Sequence, residues 1–183
     1  MILNVTKCEI EGVFVLEPKV FGDQRGYFLE SYSNRDFKEA TGLDIDFVQD
    51  NESMSSKGVL RGLHFQKSPH AQAKLVRVVK GAVQDVAVDI RPDSSTFGKY
   101  VSVVLSGENK KSLFIPEGFA HGFLVLEDDT IFQYKCSDYY APSSEGSVKW
   151  NDPQIGIEWI LPEQEYLISD KDKIAPPFSS LVK

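Results

Sequence analysis

The chain has 183 residues, with 20 Lys and Arg against 27 Asp and Glu, which gives a formal net charge of −7. Its 42% hydrophobic and 26% charged residues are ordinary for a soluble globular protein and exclude a disordered chain. Because an acidic chain lacks the positive field that attracts nucleic acid and anionic lipid, we expect neither nucleic acid nor a membrane as a partner. A small anionic ligand is compatible with this charge, since a few Arg and Lys side chains can line a pocket.

The amino terminus and the cysteines indicate a cytoplasmic protein. No basic segment is followed by a sustained apolar stretch, and no run approaches the roughly 20 apolar residues that span a bilayer. Cys8 and Cys136 lie far apart without a C-x-x-C motif, so we predict two buried thiols rather than a zinc site or a disulfide framework. Length and composition predict a single domain over residues 1–183.

Short segments rich in Val, Ile, Phe and Tyr recur between turn residues, which is typical of β-strands. The pattern predicts strands at residues 3–10, 13–18, 27–32, 45–53, 59–66, 73–81, 83–90, 99–106, 112–116, 121–127 and 130–140. So many short strands predict an all-β fold, a double-sheet jelly roll, with an immunoglobulin-like sandwich as the alternative. Residues 76–90 are apolar on both strand faces, which predicts that one sheet face meets another subunit and that the protein is a dimer.

A short helix is predicted at residues 34–41. Ser33 and Asp36 resemble a capping box, and Gly42 can end the helix. After residue 160, prolines and mixed charge predict loops and short helical turns.

The sequence contains three histidines, His64, His70 and His121. Strand alternation places His64 and Arg61 on opposite faces, unless Gly62 introduces a bulge. A histidine in a strand is more often a hydrogen-bonded core or interface residue than a catalytic one, so a functional role depends on the groups around it.

Two other polar side chains share strand parity with apolar residues. Lys74 has the parity of Val76, and Tyr134 has that of Phe132 and Cys136. The ammonium either reaches water from the strand end or serves a site, and the tyrosine is either a core residue or an acid.

Several isolated polar residues are candidates for ligand binding. Arg25, Arg61, Lys74 and Lys171 could hold two phosphates, and Glu30, Gln49 and Asn51 could contact hydroxyls or a base edge, although each is equally well explained as a surface group. The histidines form no H-x-H pair and no acidic residue completes a ligand triad, so a metal site is not predicted. Motifs for a serine or cysteine nucleophile and for a phosphate-binding loop are also absent from the sequence.

Four segments in order carry a resemblance to a known family: VFGDQRGYFLESY, FVQDNESMSSKGVLRGLHFQ, AKLVRVVKGAVQDVAVDIRPDSSTFGKY and FIPEGFAHGFLVLEDDTIFQYKCSDYYAPSSEGSVKWNDPQIGIEW. Together they resemble the dTDP-4-dehydrorhamnose 3,5-epimerases, from Val13 to the ISDKDK segment. The resemblance implies a jelly roll of the cupin class, a homodimer, and a cofactor-independent enzyme of dTDP-L-rhamnose synthesis.

The resemblance also implies roles for particular residues. His64 would be the proton acceptor, Tyr134 the proton donor and Lys74 the group that stabilises the enolate. Asp172 would pair with His64, with Asp170 as the alternative, because one sequence does not fix the register of this segment. The implied substrate-binding positions are Arg25, Glu30, Gln49, Asn51, Arg61, His121, Glu145 and Lys171.

These residue types suit epimerisation beside a ketone. Carbons 3 and 5 of dTDP-4-dehydro-6-deoxy-D-glucose flank the keto group, so their protons can be removed if the enolate oxygen is stabilised. Imidazole is a base that titrates near neutral pH, and a second acid on the opposite face can invert the centre. No metal or redox cofactor enters this scheme. An enzyme that inverts one centre or isomerises the ketone, and a non-catalytic jelly roll that binds sugar nucleotides, are the alternatives.

Overall fold

The computed structural model describes residues 3–182. Within this range the strands are β1 (Leu3–Lys7), β2 (Phe14–Pro18), β3 (Val20–Asp23), β4 (Gly26–Leu29), β5 (Gln49–Ser55), β6 (Val59–Gln66), β7 (Lys74–Lys80), β8 (Ala82–Asp89), β9 (Tyr100–Ser106), β10 (Ser112–Ile115), β11 (Phe119–Val125), β12 (Thr130–Cys136), β13 (Glu145–Ser147) and β14 (Leu167–Ile168). The α-helices are α1 (Asn34–Thr41) and α2 (Asp170–Lys173), and 3₁₀ turns lie at Pro142–Ser144, Glu163–Glu165 and Phe178–Leu181.

Two sheets pack face to face. The first has the order β1-β2-β10-β7-β12-β5, and the second has the order β13-β6-β11-β8-β9 with β14 beside β6. Strands β3 and β4 form a separate hairpin. Neighbours such as β2 and β10 are distant in the chain and antiparallel, as in a jelly roll. The predicted double-sheet jelly roll is confirmed.

The core lies between the sheets because alternate residues of each strand point inward. Val76 and Val78 of β7 meet Val83 and Ala87 of β8 and Phe132 of β12, and each of these residues is at most 2% exposed. The inward faces of the central strands are therefore apolar, except where polar side chains of β6, β7, β11 and β12 line a cleft.

Helix α1 covers the outer face of the first sheet and has the predicted bounds. The Ser33 hydroxyl accepts a hydrogen bond from the Asp36 N–H at 3.3 Å, and Gly42 ends the helix with a left-handed φ of 74°. Phe37 is 1% exposed, and its ring centroid lies 5.4 Å from that of Phe114. Neither helix among the described residues is long and apolar enough to cross a bilayer.

The segment after β13 covers the outer face of the second sheet. Val86 and Val88 of β8 pack there against Ile155 and Phe178. The two apolar faces of β8 are thus both covered by this same chain, and the prediction that they reflect a contact with another subunit is wrong for this strand. The sequence pattern missed this packing, together with β13 and β14, because the covering segment has no regular periodicity.

Cys136 is buried as predicted, whereas Cys8 is only partly buried, and both thiols are free.

Replacing Phe37 by Ala tests how much α1 contributes to the fold. We expect Phe37→Ala to lower the free energy of unfolding by about 3–5 kcal/mol, because it removes a buried aromatic ring and leaves a cavity. Urea unfolding at equilibrium measures the change. Met54 is 68% exposed, so Met54→Ala should change the value by less than about 0.5 kcal/mol. Equal losses in the two variants would contradict the prediction.

Candidate active site

Two glycines bring strands β6 and β11 close together. His121 lies opposite His64 in this ladder, but Phe123 lies opposite Arg61, so the register shifts by one residue between these pairs. A Cβ on Gly62 would lie 2.6 Å from the Cα of Gly122, and a Cβ on Gly122 would lie 2.7 Å from the carbonyl oxygen of Arg61. Gly62 also has a φ of 122°, which other residues rarely adopt.

The consequence is that Arg61 and His64 line the same cavity despite their odd spacing. The bulge that Gly62 permitted is therefore confirmed.

A cleft opens between the two sheets at this point. Its main cavity has a volume of about 480 Å³, and a side cavity of about 290 Å³ shares the residues His64, Lys74 and Tyr134 with it. These three side chains thus stand at the junction of the two cavities. A molecule in the cleft would pass directly beside them.

His64 is paired with a buried carboxylate. Its Nε2 lies 2.6 Å from Oδ1 of Asp172, which is 2% exposed. Burial opposes ionisation of Asp172, but hydrogen bonds from His64, Ser169 and the Gly62 N–H outweigh it, so the pKa of Asp172 lies below its ordinary value. Asp172 is therefore ionised at neutral pH. The Asp170 side chain is 98% exposed and lies apart from the pair.

Lys74 and Tyr134 occupy neighbouring strands of the first sheet. The Lys74 Nζ lies 6.0 Å from the centroid of the Tyr134 ring. Burial lowers the pKa of Lys74, although Cys136, Asp85 and Glu145 act in the opposite direction. Burial raises the pKa of Tyr134, so the phenol keeps its proton at neutral pH. Both side chains line the cleft, and they lie on the strand face that parity predicted, with Val76 and with Phe132.

A second histidine–aspartate pair lies in the same cleft. His121 Nε2 is 3.0 Å from both carboxylate oxygens of Asp85, and the Asp85 side chain is fully buried. No sequence motif marks Asp85. The sequence does show that Asp85 alternates in step with Val83 and Ala87, which face the core, so its carboxylate faces the core as well.

Polar residues surround both cavities. Lys171 Nζ donates to Glu145 Oε1 at 2.6 Å, and this bond is the main cause that lowers the pKa of Glu145. In the side cavity, Gln49 Nε2 donates to Asn51 Oδ1 at 3.0 Å. Six of the predicted binding residues therefore line the cleft: Gln49, Asn51, Arg61, His121, Glu145 and Lys171.

The structure does not bring Arg25 and Glu30 to this cleft. The Arg25 side chain is 89% exposed and pairs with Asp23 in the β3–β4 hairpin, and Glu30 follows the hairpin. His70 also lies outside the cleft, where its Nδ1 is 3.0 Å from Asp138 Oδ2.

An imidazole supported by a carboxylate, with a half-buried ammonium and a protonated phenol beside it, is suited to moving protons to and from carbon. The fold and the cleft thus define a jelly-roll enzyme of the acid–base class.

Comparisons with known proteins specify the family. The sequence profile described as dTDP-4-dehydrorhamnose 3,5-epimerase matches residues 7–180. A dTDP-4-dehydrorhamnose 3,5-epimerase from Shigella flexneri is 58% identical over 170 residues, which cover 93% of each chain. The chain belongs to the dTDP-4-dehydrorhamnose 3,5-epimerase family, as its motifs predicted.

Solved structures agree with this assignment. The dTDP-6-deoxy-D-glucose-3,5-epimerase from Legionella pneumophila, in complex with dTDP-4-keto-L-rhamnose, has a TM-score of 0.94 and 50% identity, covering 99% of this chain and 95% of that one. A 3′-monoepimerase from Streptomyces bikiniensis, in complex with dTDP-quinovose, has a TM-score of 0.88 and 38% identity, covering 94% and 86%. The cupin-like jelly roll is therefore common to enzymes described as acting at different numbers of centres.

The glycine contact between β6 and β11 can be tested without touching a polar group. We expect Gly122→Ala to lower kcat/KM by at least about 100-fold, because the new Cβ pushes β6 and displaces His64, and small displacements of catalytic groups have effects of this size. A steady-state assay measures the change.

Gly107→Ala is the matched control, since its Cβ would lie 2.6 Å from the carbonyl oxygen of Val79, outside the cleft. Both variants should be less stable than the parent, but only Gly122→Ala should lose activity. Similar kcat/KM values in the two variants would contradict the proposed role of the contact.

Proposed function

We propose that this protein converts dTDP-4-dehydro-6-deoxy-D-glucose to dTDP-4-dehydro-L-rhamnose by inverting carbons 3 and 5. The observation that carries the proposal is the meeting of His64, Lys74 and Tyr134 at the junction of the two cavities, in a chain of this epimerase family. The reaction would serve dTDP-L-rhamnose synthesis.

His64 is the base in this proposal. Since its Nε2 is hydrogen-bonded to ionised Asp172, Nδ1 is the nitrogen left to take a proton from the carbon next to the ketone. The carboxylate also stabilises the imidazolium that this transfer creates. Asp172 thereby fixes both the tautomer and the orientation of the base.

Lys74 stabilises the enolate. Removing the proton moves negative charge onto the 4-keto oxygen, and a preorganised ammonium close to that oxygen lowers the barrier. Burial lowers the pKa of Lys74, while Asp85 and Glu145 favour its charged form.

Tyr134 is the acid that completes inversion. The enolate carbon takes a proton from the Tyr134 hydroxyl on the face opposite His64, and the C–H bond that forms has the inverted configuration. Water then protonates the Tyr134 phenolate and takes a proton from the His64 imidazolium. Each transfer is assigned to a side chain of this chain, so the proposal includes no metal or redox cofactor.

The remaining residues hold the sugar nucleotide. Arg61, His121 and Lys171 line the main cavity and supply donors for the diphosphate or sugar hydroxyls. Gln49, Asn51 and Glu145 line the side cavity and supply donors and acceptors for the remainder of the molecule. Binding remote from the reacting carbons orients them between base and acid.

Arg25 and Glu30 enter the proposal through a homodimer. Phe21, Tyr27 and Phe28 of the β3–β4 hairpin are 46%, 59% and 69% exposed, an unusual exposure of aromatic rings for a monomer. We propose that the hairpin packs on a second copy of the chain and delivers Arg25 and Glu30 to the cleft of that copy. The cytoplasmic location and the lack of a nucleic-acid or membrane partner stay predictions.

Deuterium incorporation tests the reaction itself. Incubating dTDP-4-dehydro-6-deoxy-D-glucose with the protein in deuterated water should place deuterium at both carbons 3 and 5, as read by mass spectrometry after reduction of the product. Label at one carbon would make the protein a monofunctional epimerase. No label despite measurable binding of the nucleotide sugar would make it a binding protein.

Variants of His64 and Tyr134 separate the base from the acid. In His64→Asn both deuterium incorporation and inverted product should be lost, because no group removes the proton. In Tyr134→Phe the substrate should still incorporate deuterium, because His64 can remove a proton and return a deuteron on the same face. Formation of the inverted product should fall by about 100-fold or more. Equal loss of exchange and inversion in Tyr134→Phe would remove Tyr134 as the acid.

Mixing two inactive variants tests the shared site. Arg25→Ala and His64→Asn should each be inactive alone. In a mixed dimer one cleft receives both changes and the other neither, so an equal mixture after subunit exchange should recover about a quarter of the parent activity. No recovery, with exchange verified by mass spectrometry, would contradict the proposed contribution of Arg25 across the dimer.

A further inference from the structure

We propose that Gln66 is a positioning residue that sets the affinity for substrate, by holding residues 137–141 over the side cavity. We call residues 137–141 the lip. This inference rests on the proposed function, because its readout is the Michaelis constant of that reaction.

Both polar atoms of the Gln66 amide form hydrogen bonds to loops. It lies at the end of β6, two residues after His64, is 9% exposed, and itself lines the side cavity. Its Nε2 donates to the carbonyl oxygens of His70 and Tyr139, at 2.7 and 3.2 Å, and its Oε1 accepts from the Ala141 N–H at 2.8 Å. All three partners are main-chain groups, so the Gln66 side chain fixes the path of the backbone and not the rotamer of another side chain.

The lip forms one wall of the side cavity. Tyr140 lines this cavity, its N–H donates to Gln49 Oε1 at 3.2 Å, and its hydroxyl donates to Glu145 Oε2 at 3.3 Å. These two bonds are exposed, where water competes for the same donors. The bonds of Gln66 are partly buried and hold the end of the lip at residues 139–141. The other end is held by Gln72 Nε2, which donates to the Asp138 carbonyl at 2.7 Å, and by the Ala73 main chain at Ser137.

The hydrogen bonds of Gln66 lead to the lip and to His70, and none of them leads to a catalytic side chain. His64 is held by Asp172, while Lys74 and Tyr134 are held by their own strands. Releasing the lip should therefore remove contacts that are equal in the ground state and the transition state. Loss of such uniform binding raises KM and leaves kcat unchanged.

The chain offers a matched control in Gln84. This glutamine is 2% exposed, and its amide donates to the Glu158 carbonyl at 2.9 Å and accepts from the Ile160 N–H at 2.7 Å. It thus ties a distant segment to a strand in the same manner as Gln66. Neither Gln84 nor its partners line the cleft.

The experiment compares Gln66→Met with Gln84→Met in steady-state kinetics and thermal unfolding. Methionine keeps the length of the side chain and removes every hydrogen bond. Both variants should lose thermal stability. We expect KM to rise at least about tenfold in Gln66→Met with kcat within about threefold, and both constants to stay within about twofold in Gln84→Met.

Three results would overturn the inference. They are an unchanged KM in Gln66→Met, an equal rise of KM in both variants, and a loss of kcat at constant KM, which would place the effect on His64. If Gln66→Met does not fold, Gln66→Glu decides: it keeps the acceptor for Ala141 and removes both donors, and calorimetry should show weaker binding of dTDP by at least about fivefold. Failure of the parent protein to exchange deuterium would instead contradict the proposed function.

Discussion

Strands β6 and β11 can approach each other as they do because neither carries a side chain at the point of contact. A Cβ on either Gly62 or Gly122 would lie well within contact distance of the opposing main chain. The resulting shift in register directs the side chains of Arg61 and His64 into the same cavity. A regular strand would place these two side chains on opposite faces. The Gly62 N–H also lies 3.4 Å from Asp172 Oδ2, so the same irregularity helps to hold the carboxylate that pairs with His64.

The carboxyl-terminal segment completes both the core and the cleft. It covers the outer face of β8 through Ile155 and Phe178, and α2 then returns Asp172 to His64. Burial of apolar side chains offsets the entropy lost in ordering this segment, which has little regular structure of its own. The position of Asp172 is therefore maintained by packing far from the cleft as well as by its hydrogen bonds.

The cleft concentrates charged groups that a jelly-roll core normally excludes. Half-buried Lys74 lines the cleft. Asp85 and Asp172 are buried, and each carboxylate has a histidine as partner. Such groups retain their charge only when hydrogen bonds replace their hydration. Because these dipoles and charges are fixed before substrate arrives, little reorganisation is needed when the enolate forms. The fold is shared with an enzyme described as a monoepimerase, so we attribute the number of inverted centres to the residues around the sugar and not to the barrel.

The sequence by itself determined the strands other than β3, β13 and β14, because alternation and turn residues act over a few neighbours. It also determined α1, because Ser33 and Gly42 cap it locally. Its motifs also predicted His64, Lys74 and Tyr134 as the reacting side chains. Only the tertiary structure decided that Asp172 rather than Asp170 contacts His64, that Asp85 supports His121, that Gln66 ties the lip to β6, and that Arg25 lies outside the cleft of its own chain. The physical reason is separation along the chain: His64 and Asp172 are 108 residues apart, and their meeting depends on how the strands cross between the sheets and how the last segment packs. No local sequence pattern encodes a contact between residues so far apart along the chain.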